Sequence, residues 1–104
     1  VSFKVNQNKG FHLIFDNGLT LSTQFGGGNY CDNYNMEIKR YESGLSCDNA
    51  EIAIWGKNGN WITKEIMDKL VDDCEDNVYG YVSMELWIEI VDICKNYKET
   101  KTND

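Results

Sequence analysis

Hydrophobic and polar residues alternate along FHLIFDNGLTLSTQF, residues 11–25, on either side of an Asp-Asn-Gly break. That is the pattern of a β-hairpin, and its register can be argued from the pattern itself. A two-residue Asn17-Gly18 loop would set Phe11, Leu13 and Phe15 opposite Thr20, Ser22 and Gln24. A three-residue loop, with Gly18 left-handed in a bulge, pairs Phe15 with Leu19 and Leu13 with Leu21. Phe11, Leu13, Phe15, Leu19, Leu21, Thr23 and Phe25 then share one face, which a slip of one residue would divide. The longer loop is therefore expected. The same device recurs in AEIAIWGKNGNWIT, where a Lys57-Asn58-Gly59 loop sets Trp55 opposite Trp61 and Ile54 opposite Ile62. The flanks of the two turns do not align well enough to count as an internal repeat.

The period then changes. Ile66, Met67, Leu70, Val71 and Cys74 make one stripe at helical spacing, and Thr63 is placed to cap a helix running from Lys64 to about Cys74. Val78 to Val82 alternates again and predicts a short strand. Ser83 caps a second helix from Met84 to about Tyr97, with Trp87, Ile90, Val91 and Cys94 inward and Glu85, Glu89, Asp92 and Asn96 outward. Lys95 and Lys98 suit its last turn. Strands followed by helices, without βαβ alternation, predict an α+β fold. The expected architecture is an antiparallel sheet from the two x-Asn-Gly hairpins plus a short fifth strand, packed against two C-terminal helices. Residues 26–49 form an irregular excursion in which Met36–Tyr41 would make a short strand or helical turn. The tail 98–104 is expected to fray.

With 104 residues the chain suffices for a single domain, 1–104. Its 41% hydrophobic content argues against disorder. No apolar run could span a membrane, and VSFKVNQNKG is too polar for a signal peptide. There is no proline, so turns fall to Gly, Asn and Asp. The four cysteines, 31, 47, 74 and 94, include no CxxC and are read as reduced thiols in a cytosol, Cys74 and Cys94 being buried on helix faces.

The net charge of −7 changes the picture, because it is concentrated. Residues 1–64 balance, whereas 65–92 hold nine acids (Glu65, Asp68, Asp72, Asp73, Glu75, Asp76, Glu85, Glu89, Asp92) against Lys69 alone. Binding to nucleic acid phosphates is therefore not expected, and a basic protein surface is the natural complement. A solvated helix face is the plain explanation of such acids. The shortage of lysines nevertheless leaves them little to pair with, a cost that a basic partner would relieve.

Candidate chemistry is sparse. FGGGNYCDN, residues 25–33, resembles a phosphate-cradling loop only in its glycines; it lacks a lysine and a following helix, and a sheet corner is favoured. Cys31 and the single histidine, His12, are not brought together by any pattern, so no Cys–His nucleophile is expected. Zinc would need ligand pairs at short spacing, which the chain lacks. Neither a metal nor another cofactor is expected, nor an enzyme. Cys-Asp-Asn occurs twice, at 31–33 and 47–49, bracketing the excursion. If their Cα atoms come within disulfide range, the two thiols can pair under oxidation.

FDNGLTLS, FGGGNYCDN, CDNAEIAIW, GNWI and VYGYVSMEL together resemble a pattern in small acidic proteins encoded by bacteriophages and prophages, across most of residues 11–94. The resemblance carries no functional residue over. It implies a setting, the cytoplasm of a bacterial host, and a function: inhibition of bacterial immunity in the manner of anti-CRISPR proteins. In that setting the nine acids would bind a basic surface of a host defence protein, a CRISPR effector for example, with neither direct nucleic-acid contact nor a membrane. An alternative is a sponge for a nucleotide immune signal. It would use Gly26, Gly27, Gly28 and Asn29, with Tyr30 or Tyr34 stacking on the base, on a loop that is otherwise a second partner surface. A minor phage structural or host-takeover protein is the third possibility.

Overall fold

The computed structural model describes residues 2–6, 9–37 and 46–98. Five strands form one antiparallel sheet in chain order: β1 (Ser2–Asn6), β2 (Gly10–Ile14), β3 (Thr20–Gln24), β4 (Asn49–Trp55) and β5 (Tyr79–Ser83). Two helices, α1 (Thr63–Met67) and α2 (Met84–Asn96), complete the α+β fold.

The first hairpin has the expected register, Leu13 opposite Leu21 and Phe11 opposite Thr23. Phe15 N–H donates to the Leu19 carbonyl at 2.9 Å, and Gly18 takes φ +90°, a left-handed conformation that glycine adopts without a steric penalty. Leu13, Phe15, Leu19 and Leu21 are buried together with Ile52 and Ile54 of β4, Val82 of β5, and Ile90 and Cys94 of α2. Across this layer Phe11 meets Trp87 edge-on at 6.1 Å. The indole N–H of Trp87 donates to the Thr23 hydroxyl at 2.8 Å, so the one polar side chain on that face of β3 has a partner. The Asn17 carboxamide donates to the carbonyls of Cys94 (2.7 Å) and Tyr97 (3.0 Å), closing the end of α2 onto the first turn.

The second hairpin is shorter than its pattern. Trp55 does face Trp61, and Ile62 N–H donates to the Ile54 carbonyl at 2.9 Å, but Trp61 forms only an isolated bridge. The reason lies in Thr63. Its side chain is fully buried; the hydroxyl accepts from Ile54 N–H (2.8 Å) and donates to the Asn77 carbonyl (2.7 Å). Thus Thr63 is not a helix cap but a tie between β4 and the approach to β5. Ile62 occupies the cap position without a side-chain hydrogen bond.

Helix α1 also stops at Met67 rather than near Cys74. Single turns follow, Leu70 and Val71 N–H both donating to the Met67 carbonyl at 2.8 Å. Asp72, Asp73, Glu75 and Asp76 would have placed negative charge at a helix C-terminus, and aspartate is a weak helix former. Packing survives this early end: Ile66, Met67 and Cys74 are buried, although Cys74 lies outside any helix. Helix α2 starts as expected, with the Ser83 hydroxyl accepting from Leu86 N–H at 3.2 Å.

Strand β1 was not expected. SFKVN alternates cleanly, yet no Asn-Gly turn announces it. It pairs Phe3 with Leu13 and Val5 with Phe11. It therefore replaces the Asn60–Thr63 arm as one of the five strands. Within the excursion, Met36 N–H closes a turn onto the Asn33 carbonyl. Residues 38–41 of the expected Met36–Tyr41 element, and most of the tail 98–104, lie outside the described residues.

Replacing Thr63 by valine keeps the shape and leaves the buried Ile54 amide without an acceptor, which costs about 1–3 kcal/mol. Urea denaturation should show that loss for Thr63→Val and recover most of it in Thr63→Ser.

Candidate functional site

After β3 the chain turns through Gly26–Gly28, and Asn29 organises the turn by accepting from Gly26 N–H at 3.0 Å through its side chain. Gly28, at φ +84°, donates to the Tyr34 carbonyl at 2.8 Å. Glu51 of β4 lies beneath: its carboxylate accepts from Tyr30 N–H (2.9 Å) and from the Asn29 carboxamide (3.3 Å). Asp32 N–H donates to the Asn49 side chain at 2.8 Å. The Gly26, Gly28, Asn29 and Tyr30 amides, which a phosphate would need, are thus engaged by the protein's own oxygens. A carboxylate occupies the position of the anion and would repel a second one. The loop is a corner docked on β5, where Tyr81 N–H donates to the Tyr30 carbonyl at 2.8 Å. A Cβ on Gly80 would fall 2.6 Å from Tyr30 Cβ, so only glycine admits this approach. What the corner presents is aromatic: Tyr30 and Tyr34 stack at 5.9 Å with their planes 6° apart, both half-exposed, beside an exposed Tyr81.

All nine acids are exposed. They are better partnered than the sequence suggested. Lys64 bridges Asp68 at 3.0 Å. The Tyr97 hydroxyl donates to Glu65, the Tyr79 hydroxyl donates to Asp73 at 2.7 Å, and the Asp76 side chain accepts from Asn77 N–H at 2.7 Å. The Asn96 carboxamide reaches the Asp92 carbonyl. Among the described residues this leaves Asp72 and Glu75 after α1, and Glu85 and Glu89 on α2, with no hydrogen-bonding or ionic partner. The Asp73 carboxylate, by accepting the phenol's hydrogen bond, pushes the Tyr79 pKa up to about 12.

His12 and Cys31 lie apart in role. His12 sits on the helix-free side of the sheet, edge-on to Trp55 at 5.1 Å, and Trp55 in turn lies 5.3 Å from Trp61. Partial burial, and then the Lys4 charge, lower the His12 pKa. Cys31 is buried and its thiol donates to the Gly26 carbonyl at 3.8 Å. Sequence reasoning passed over this helix-free side, although the Trp55–Trp61 pairing it predicted was the available signal. It also missed a cleft of about 310 Å³ beside α2, walled by Phe11, Phe25, Val82, Met84 and Trp87 with Cys47 and Asn49 at its rim. No group of three His, Cys, Asp or Glu side chains among the described residues could hold a metal, and no helix there is long and apolar enough to cross a membrane.

Fold and surface together define a two-layer α+β protein with an acid-rich helix layer and an aromatic corner. No family model, curated protein or solved structure matches the chain.

Two outcomes are expected. Gly80→Ala should separate the Tyr30 corner from β5, seen as faster amide exchange at Tyr81 with the core amides of β3 unchanged. The lowered His12 pKa means that the unfolded chain binds this proton more readily. Its contribution to stability is present above pH 6.5 and fades as pH falls through the folded-state pKa. Denaturation midpoints of His12→Gln should accordingly change less than those of the native chain between pH 7 and the acid side of this window.

Proposed function

We propose that this is a phage-encoded inhibitor of bacterial immunity, anti-CRISPR-like in action, whose acidic helix layer binds a basic surface of a host nuclease effector in the host cytoplasm. The observation that carries this reading is the set of exposed, unpartnered carboxylates at Asp72, Glu75, Glu85 and Glu89. Like charges without counterions destabilise the free protein slightly. A groove lined with Lys and Arg to hold phosphates relieves that repulsion and accelerates encounter. Carboxylates seated in such a groove exclude nucleic acid by occupying its charge positions, so the protein needs no catalytic group of its own. The aromatic corner at Tyr30 and Tyr34 adds a less charge-dependent contact, since tyrosines bury large area at little entropic cost.

The test is DNA cleavage by a panel of purified CRISPR nuclease effectors, with the native chain and with Asp72→Lys, Glu75→Lys, Glu85→Lys and Glu89→Lys combined. The native chain should inhibit at least one effector, more weakly as salt rises. The variant, with unchanged circular dichroism, should bind that effector on the order of 100-fold more weakly. Equal inhibition by the variant, or no inhibition of any effector, would sink the proposal.

A further inference from the structure

The two Cys-Asp-Asn tripeptides are brought together by the fold. The Asn33 carboxamide donates to the Ser46 carbonyl at 2.9 Å and to the Phe25 carbonyl at 2.8 Å. Asp32 N–H donates to the Asn49 side chain at 2.8 Å, and the Cys47 thiol donates to the same oxygen at 3.7 Å. The second tripeptide thus supplies the acceptor that holds the first. Cys31 and Cys47 lie between these ties: one Asn49 oxygen takes both the amide that directly follows Cys31 and the Cys47 thiol. They differ in access: Cys31 is buried, and Cys47 is half-buried at the rim of the cleft beside α2.

From this arrangement we infer that Cys31 and Cys47 are a redox pair, which a low-molecular-weight disulfide such as oxidised glutathione converts to an intramolecular disulfide. The accessible Cys47 thiolate attacks one sulfur of the small disulfide, forming a mixed disulfide and releasing one small thiolate. Cys31 then loses its proton to solvent and attacks the Cys47 sulfur, and the second small thiolate leaves. Two protein thiols are oxidised and one small disulfide is reduced to two thiols, so atoms and electrons balance. Burial, with the neighbouring Cys47 adding to it, raises the Cys31 pKa, so the first attack falls to the more accessible Cys47. Cys74 and Cys94 are buried elsewhere in the core, and burial pushes Cys94 up to about 12, so they stay out of the exchange. The oxidised form fastens the aromatic corner to the start of β4 by a covalent bond.

The full folded chain is incubated with oxidised glutathione, quenched in acid, alkylated after unfolding and mapped by peptide mass. The expected result is a Cys31–Cys47 link with Cys74 and Cys94 alkylated, and a thermal midpoint raised by on the order of 10 °C. Cys31→Ser should accumulate glutathione on Cys47, whereas Cys47→Ser should leave Cys31 unmodified. The inference is overturned if the native chain stops at a Cys47–glutathione adduct, if Cys31 or Cys47 links to Cys74 or Cys94, or if all four thiols remain free. The mapping is done on the native chain, so it decides the matter even where a variant fails to fold.

Discussion

One constraint orders the molecule: the parity of the first hairpin. Side chains alternate between the two faces of a strand, so the single extra residue in the Asp16-Asn17-Gly18 turn decides whether Leu13 and Leu21 lie together or on opposite sides. With them together, one face of the sheet is continuous from Phe11 to Val82, and α2 has a surface to cover. Trp87 settles over Phe11 and finds the Thr23 hydroxyl, which the same parity turns toward it. Were the register shifted, Leu13 and Leu21 would lie on opposite faces, and the apolar surface under α2 would be broken at the first hairpin.

This explains which parts were legible in the sequence. The registers at Leu13–Leu21 and Trp55–Trp61, the Ser83 cap and the inward stripe of α2 all express a local period, and local periods are what a sequence displays directly. At Thr63 a distant group overrode a local preference. Thr63 looks like a helix cap by its position, yet the Ile54 amide and Asn77 carbonyl, both remote in sequence, engage its hydroxyl. Stripe residues Ile66 to Cys74 pack inward as a helix would place them, although acid repulsion and weak propensity end the helix early. SFKVN was missed because a strand of five residues without a turn signature is a faint signal.

The candidate surfaces were legible in kind and less so in detail. Charge bias identified the acidic layer, but not which carboxylates are already held by Lys64, Tyr79 or Tyr97. Glycine content marked the corner at 26–28, while what holds it in place is Tyr30, resting on Gly80 of β5 and on the Glu51 carboxylate, an interaction between segments that no local pattern encodes. Polar groups in this protein repeatedly answer one another across long stretches of chain, and such partners emerge only once the sheet has brought them within reach.

Asn17 is the longest of these reaches, joining the first turn to carbonyls 77 and 80 residues later. Its bonds close a loop of most of the chain, so forming them before the sheet and α2 are packed would cost the most chain entropy. They also make the two extremities of the sheet-and-helix assembly mutually dependent. Loosening the end of α2 withdraws two acceptors from the turn that sets the hairpin register, and a disturbed turn withdraws a donor from the Cys94 carbonyl and from that of Tyr97 just beyond the helix. A local fluctuation at either place is therefore registered at the other, giving a small sheet protein a cooperativity that its nearest-neighbour strand order alone would not provide.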